Sequence, residues 1–212
     1  MKLTEDSPVV TVADQIAEII MAGFLWLIAC IPIITIGPAS AALYYTIVKV
    51  VRKKHSTVTK AFWYSFKENL KQGIVITFIY LIYAVILFFY VSTVLKSGMF
   101  GENPYLFVTS GIILASPFVV TIPYIFSVLS RFRTGIAGQF RYALLLAMSH
   151  FPITLILIVG LGVTGMICYL FPFFMAIIPG FYAWASSFLI EKTLQKYMKQ
   201  ARKTEESAWY FE

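Results

Sequence analysis

Apolar residues run along this chain in long blocks separated by short charged segments. No Asp, Glu, Lys or Arg occurs from Ile19 to Val48, from Gln72 to Leu95, from Asn103 to Ser130, or from Tyr142 to Ile190. A bilayer core about 30 Å thick is crossed by roughly 20 apolar residues in a helix. The last block, 49 residues long, therefore holds two crossings. The pattern predicts an all-α membrane protein with six transmembrane helices at about 15–35, 38–53, 73–95, 104–130, 152–170 and 172–191. The rival layout has five, with 38–53 not crossing. These spans form a single membrane domain over 15–191, preceded by segment 1–14 and followed by a basic tail, 192–212.

The second run is short. Its 16 residues rise about 24 Å, and Lys49, Arg52 and Lys53 are expected to snorkel at its foot. Pro32 is expected to bend the first helix and Gly37-Pro38 to turn the chain at the outer face. Pro117 and Pro123 break the later helix in the same manner.

Two charged segments keep a helical period. Over 57–72, Val58, Phe62, Phe66 and Leu70 recur at four-residue steps, with Lys60, Lys67, Glu68 and Lys71 elsewhere on the wheel. Over 134–149 the corresponding stripe is Ile136, Phe140, Leu144 and Met148, with Arg141 beside it. Both read as amphipathic helices at the membrane surface. Their apolar faces either rest on lipid and the feet of the spans or dock into another protein, and spacing does not separate the two. The docking candidates are Phe62, Trp63, Phe66, Lys67, Leu70 and Lys71, with Phe140, Arg141 and Leu144 as a second element.

A weak repeat links the halves. Pro38, Tyr45, Arg52, Phe62 and Tyr64 recur at offsets of 78 or 79 as Pro117, Tyr124, Arg131, Phe140 and Tyr142.

Composition agrees with the pattern. Of 212 residues, 59% are hydrophobic and 13% charged, against about 25% charged in soluble domains. In the six-span layout with the N-terminus inside, 16 of the 17 basic residues face the cytoplasm and only Lys96 lies outside. The net charge of +7 is thereby explained by topology, and nucleic-acid binding is not expected. Lys192, Lys196, Lys199, Arg202 and Lys203 form a juxtamembrane cluster suited to anionic lipid. The acidic start, with Glu5, Asp6, Asp14 and Glu18, is not a signal peptide.

Candidate chemistry is sparse. There is no GxxxxGK[ST] phosphate loop, no HExxH and no CxxC; neither a catalytic site, a cofactor nor a metal is expected. His55 and His150 stand alone as boundary residues, and Cys30 and Cys168 read as small apolar residues within spans. No carboxylate falls inside a span apart from Glu18 at a helix start, which disfavours an ion-coupled carrier.

PIITIGPASAALYY, KVVRKK and FWYSFKENLKQG, with the later RFRTGIAGQFRYALLLAMSHFPITLIL, resemble the YesL family of bacterial membrane proteins. That family is common in Gram-positive bacteria and of unknown function. Its members are often encoded beside carbohydrate ABC importers, which implies a multi-pass plasma-membrane protein assisting or regulating oligosaccharide uptake. The implied partner is the importer's permease or ATPase, alongside membrane lipid. Two other functions stay open: an autonomous small-solute carrier or channel with its site at Pro32, Pro38, Pro117 and Pro123, and the membrane component of a sensory system.

Overall fold

The computed structural model describes residues 8–54, 56–96 and 104–201, with backbone alone at 8–9, 104 and 195–201. Among these residues there are seven α-helices and no strand. They are α1 (Pro8–Ala29), α2 (Ile36–Thr46), α3 (Val58–Lys96), α4 (Pro104–Arg131), α5 (Ile136–Ser149), α6 (Phe151–Leu170) and α7 (Ile178–Ala201). Short 3-10 turns at Ile33–Thr35 and Pro172–Ala176 precede α2 and α7, and α2 continues as a π-helical turn, Ile47–Arg52.

Five segments are long and apolar enough to cross a membrane: Val10–Ala29, Ile33–Arg52, Val58–Lys96, Tyr105–Arg131 and Phe151–Leu170. The sixth expected crossing, 172–191, falls on the turn Pro172–Ala176 and the first part of α7, whose side chains are described as far as Leu194. Its first turn is 3-10 and its helix runs past Ile190 into charged sequence.

The second run is the most enclosed of the five. Its window is 67% buried, against 11% to 33% for the others. Ala39, Ala41 and Ala42 let neighbouring helices come close, while Tyr44, Tyr45, Ile47, Val48, Val50 and Val51 fill the space between them. Two cores meet on this segment. Tyr44 and Val48 join Ile76, Tyr124, Ile125, Val128 and Leu146 on one side. Tyr45, Ile47 and Val51 join Ile19, Val58 and Phe62 on the other.

The expected turn at Gly37-Pro38 is corrected. The chain reverses over Cys30–Thr35, where the Thr35 hydroxyl donates to Ala29 O at 2.6 Å, and Pro38 lies in the first turn of α2. A proline there removes an N–H that would have had no helical partner anyway. Gly37 instead makes a close helix contact. Its N–H donates to Thr77 Oγ1 at 3.0 Å, so α3 caps the start of α2. A Cβ on Gly73 would lie 2.7 Å from Pro38 N. The Gly37 end of α2 thus packs beside the basic end of the apolar run of α3, and not beside Lys96.

The separation of 57–72 from 73–95 is also corrected: both belong to the single 39-residue helix α3, about 58 Å of helix. Gly73 does not break it, because its missing side chain serves the contact with Pro38. In the other half the break persists. At the offset of 78 that relates Phe62 and Tyr64 to Phe140 and Tyr142, Gly73 corresponds to Phe151, next to Pro152, and α5 and α6 are divided at His150, whose φ of −133° and ψ of 54° are not helical. Pro152 lies in the first turn of α6, and a helix running on from α5 would need its missing N–H to bond Met148 O, which its ring would also crowd.

Inside α4, Pro117 frees the Ile113 carbonyl, and Ser116 Oγ donates to it at 3.1 Å. Gly23 and Gly180 allow α1 to lie against the turn before α7 and against α7 itself. Added Cβ atoms would meet Ala176 O and Ile19 O, at 2.0 and 2.8 Å.

Candidate functional site

The basic segments meet at one end of the molecule. Among the described residues, ion pairs join them: Lys54 with Glu18 at 3.1 Å, Arg133 with Glu68 at 3.0 Å, and Arg131 with Glu191 at 2.7 Å. The last differs in kind. Its side chains are 1% and 5% exposed, and Glu191 Oε1 also accepts a hydrogen bond from Tyr44 Oη at 3.1 Å. Helices α2, α4 and α7 are therefore tied by one buried charged node. Glu191 corrects the expectation that no carboxylate beyond Glu18 lies within the spans' packing: it ends the longest charge-free block and is turned inward. The legible signal was Arg131, which occupies a repeat position.

Its counterpart, Arg52, also reaches α7. Nη1 of Arg52 donates to Ser187 O at 3.0 Å, and the guanidinium lies 4.4 Å from the centre of the Phe188 ring. The two arginines related by the repeat thus anchor one turn apart on the same helix.

Beside the node is a small cleft between the first half of α3 and the end of α4. Tyr45, Tyr64, Ser65, Glu68, Asn69, Ser130, Arg131 and Arg133 line it. Lys49 donates to Tyr45 Oη at 3.0 Å and lies 5.2 and 5.8 Å from the Tyr45 and Tyr64 ring centres, placing a further cation at its edge. The cleft offers charge, hydroxyls and an amide, a set that suits an anion.

The docking candidates divide by exposure. Phe62 is 0% exposed and faces the core, while Phe66 and Leu70 are half-buried. Trp63, Lys67 and Lys71 are exposed, with Lys60 and Tyr64. On α5 the stripe is rotated from its expected position. Gln139, Ala143, Leu146 and Ala147 are buried, whereas Leu144 and Met148 are exposed with Arg141, and Phe140 is half-buried against the core. Gln139 takes a core position because Nε2 donates to Phe132 O at 2.7 Å and closes the turn between α4 and α5.

Pro117 and Pro123 both lie within α4, Pro117 exposed and Pro123 buried, and the residues between them pack on α3. Tyr83 and Phe118 stack at 3.5 Å, and the Tyr80 and Thr121 hydroxyls share a hydrogen bond of 2.8 Å. Pro32 stands at the reversal before α2. In the basic cluster after α7's apolar part, Lys192 is exposed, the side chains of Lys196 and Lys199 lie outside the described residues, and so do Arg202 and Lys203. His55 also lies outside them. Cys30 and Cys168 are free thiols.

The helices and their exposed apolar surfaces define a polytopic helical membrane protein. Residues 19–91, which hold the second half of α1, all of α2 and α3 almost to its end, match the family model described as "Protein of unknown function, DUF624". No curated protein and no solved structure matches the chain.

Proposed function

We propose that this protein is a non-enzymatic accessory subunit of a carbohydrate importer of the ABC type, of the YesL kind, in a bacterial plasma membrane. Its basic end and both termini face the cytoplasm, in keeping with the distribution of 16 of 17 basic residues. The observation that carries the reading is the outer face of the first four turns of α3. Lys60, Trp63, Lys67 and Lys71 are exposed there, while Val58 and Phe62 on the opposite side are locked into the core. An exposed tryptophan among lysines on a firmly held helix suits an acidic groove on a partner, with Trp63 as the anchor. The importer's ATPase is the partner this reading favours, with the permease as the neighbouring subunit. The packing of Phe118 on Tyr83 and of Thr121 on Tyr80, between the two prolines of α4, favours this role over that of an autonomous carrier.

Cross-linking in native membranes followed by purification in mild detergent tests it. An importer ATPase or permease should co-purify, and K67E with K71E should reduce its recovery at least fivefold. Recovery without any importer chain would overturn the reading. Solute uptake by the purified protein alone in liposomes would replace it with the carrier.

A further inference from the structure

The cleft beside the buried node goes beyond the docking face and does not depend on it. Its one carboxylate outside the node, Glu68, is held from the surface by Arg133, in a pair whose side chains are 41% and 75% exposed, and by the exposed Tyr64 hydroxyl beside it. Exposed pairs of this kind contribute little and open readily. A phosphate diester presents two oxygens that share one negative charge to the same guanidinium fork and can displace a carboxylate there. Lys49, at the edge of the cleft, adds a second positive charge.

Helix α3 distinguishes a free anion from one attached to an acyl chain. At 100° per residue, Tyr64, Val75, Phe78, Ile82, Ile86 and Phe89 fall on one face of the continuous helix. All six are exposed, the five apolar ones from 41% at Val75 to 64% at Phe89. The stripe from Val75 to Phe89 extends about 21 Å, longer than one leaflet of a core about 30 Å thick. The same helix face therefore holds Tyr64 at the edge of the cleft, the exposed Lys71 about two turns above it, and an apolar surface from Val75 onward, an order that matches an anionic headgroup and its chain.

We propose that the cleft binds the phosphate of an anionic phospholipid, with Arg133 taking the phosphate in place of Glu68 and an acyl chain lying along the α3 stripe. The full chain in detergent is titrated with phosphatidylglycerol, phosphatidylcholine or water-soluble glycerol phosphate, and bound lipid is counted by native mass spectrometry. Phosphatidylglycerol should bind in preference to phosphatidylcholine. Arg133→Ala should weaken it about fivefold, the effect of one basic residue on an anionic lipid. Glu68→Gln should strengthen it by a similar factor, and Ile82→Ser should weaken it without changing binding of glycerol phosphate. Because Arg133 and Glu68 are exposed, thermal midpoints should stay put, so that a changed affinity reports binding and not folding. Phosphatidylglycerol binding unchanged in both Arg133→Ala and Glu68→Gln would overturn the proposal. So would glycerol phosphate binding as tightly as the lipid, which would make this a free-phosphate site. An acidic peptide displacing phosphatidylglycerol at equal concentration would assign the cleft to a protein carboxylate and equally refute it.

Discussion

Replacing Arg131 with methionine removes the guanidinium from a node where almost no water is available to substitute for it. Glu191 would keep one hydrogen bond, from Tyr44 Oη at 3.1 Å, and lose its ionic partner at 2.7 Å while remaining about 5% exposed. Breaking one side of a buried pair costs about 3–5 kcal/mol because the remaining charge is stranded. At about 2–4 °C per kcal/mol for a chain of this size, the melting temperature should fall by about 10 °C. The double variant Arg131→Met, Glu191→Leu strands no charge, and replacing a buried pair with apolar groups is often neutral or stabilising. It should regain most of the loss. Thermal unfolding in detergent, followed by the fluorescence of the four tryptophans, measures both, with Arg133→Met as the exposed counterpart expected to cost under about 1 kcal/mol. A single variant within about 1 kcal/mol of the parent, or a double variant as unstable as the single, would refute the reasoning.

Three other outcomes follow from the packing. Gly73→Ala sets a methyl group 2.7 Å from Pro38 N and should cost about 1–3 kcal/mol, whereas Gly162→Ala, with no atom within 4 Å, should be neutral or stabilising by up to about 1 kcal/mol; equal effects in thermal unfolding would contradict the close α2–α3 contact. Lys54 has a φ of 56° and a half-exposed ion pair. Lys54→Gly should therefore raise stability by up to about 1 kcal/mol, and a loss larger than that would show that the pair with Glu18 outweighs the backbone strain. A cysteine at Ile31, six residues before the Gly37–Thr77 contact of α2 with α3, should resist an impermeant maleimide added at the face where a cysteine at Lys96 reacts. Equal labelling of the two would return the hairpin to the outer face.

Much of the helical layout could be read from the charge-free blocks, because water-free crossings leave a long-range mark on composition. Contacts between helices were less legible. Gly37 and Gly73 look like breakers in one dimension, yet their use is the mutual approach of two backbones, which no periodicity encodes. The α5 stripe went astray for a related reason: Gln139 is polar but satisfies a turn carbonyl, so it displaces Leu144 and Met148 from the buried side. Glu191 was hidden by its position at the edge of a block, where a surface carboxylate is the ordinary expectation. The cleft was out of reach of sequence altogether, since Tyr64 and Arg133 are brought together only by the crossing of α3 and α4. Arg52 and Arg131, in contrast, were marked in advance by the repeat, though not by the shared helix to which they reach.

The glycine at 73 and the proline at 152 give the two halves different mechanical characters. A twist applied to the lysine-bearing turns of α3 is carried through one hydrogen-bonded element as far as Lys96. The same twist applied to α5 is absorbed at His150, where the ladder stops. One half can therefore act as a lever and the other as a joint, so a load on the basic end would turn the molecule asymmetrically in spite of its repeated sequence.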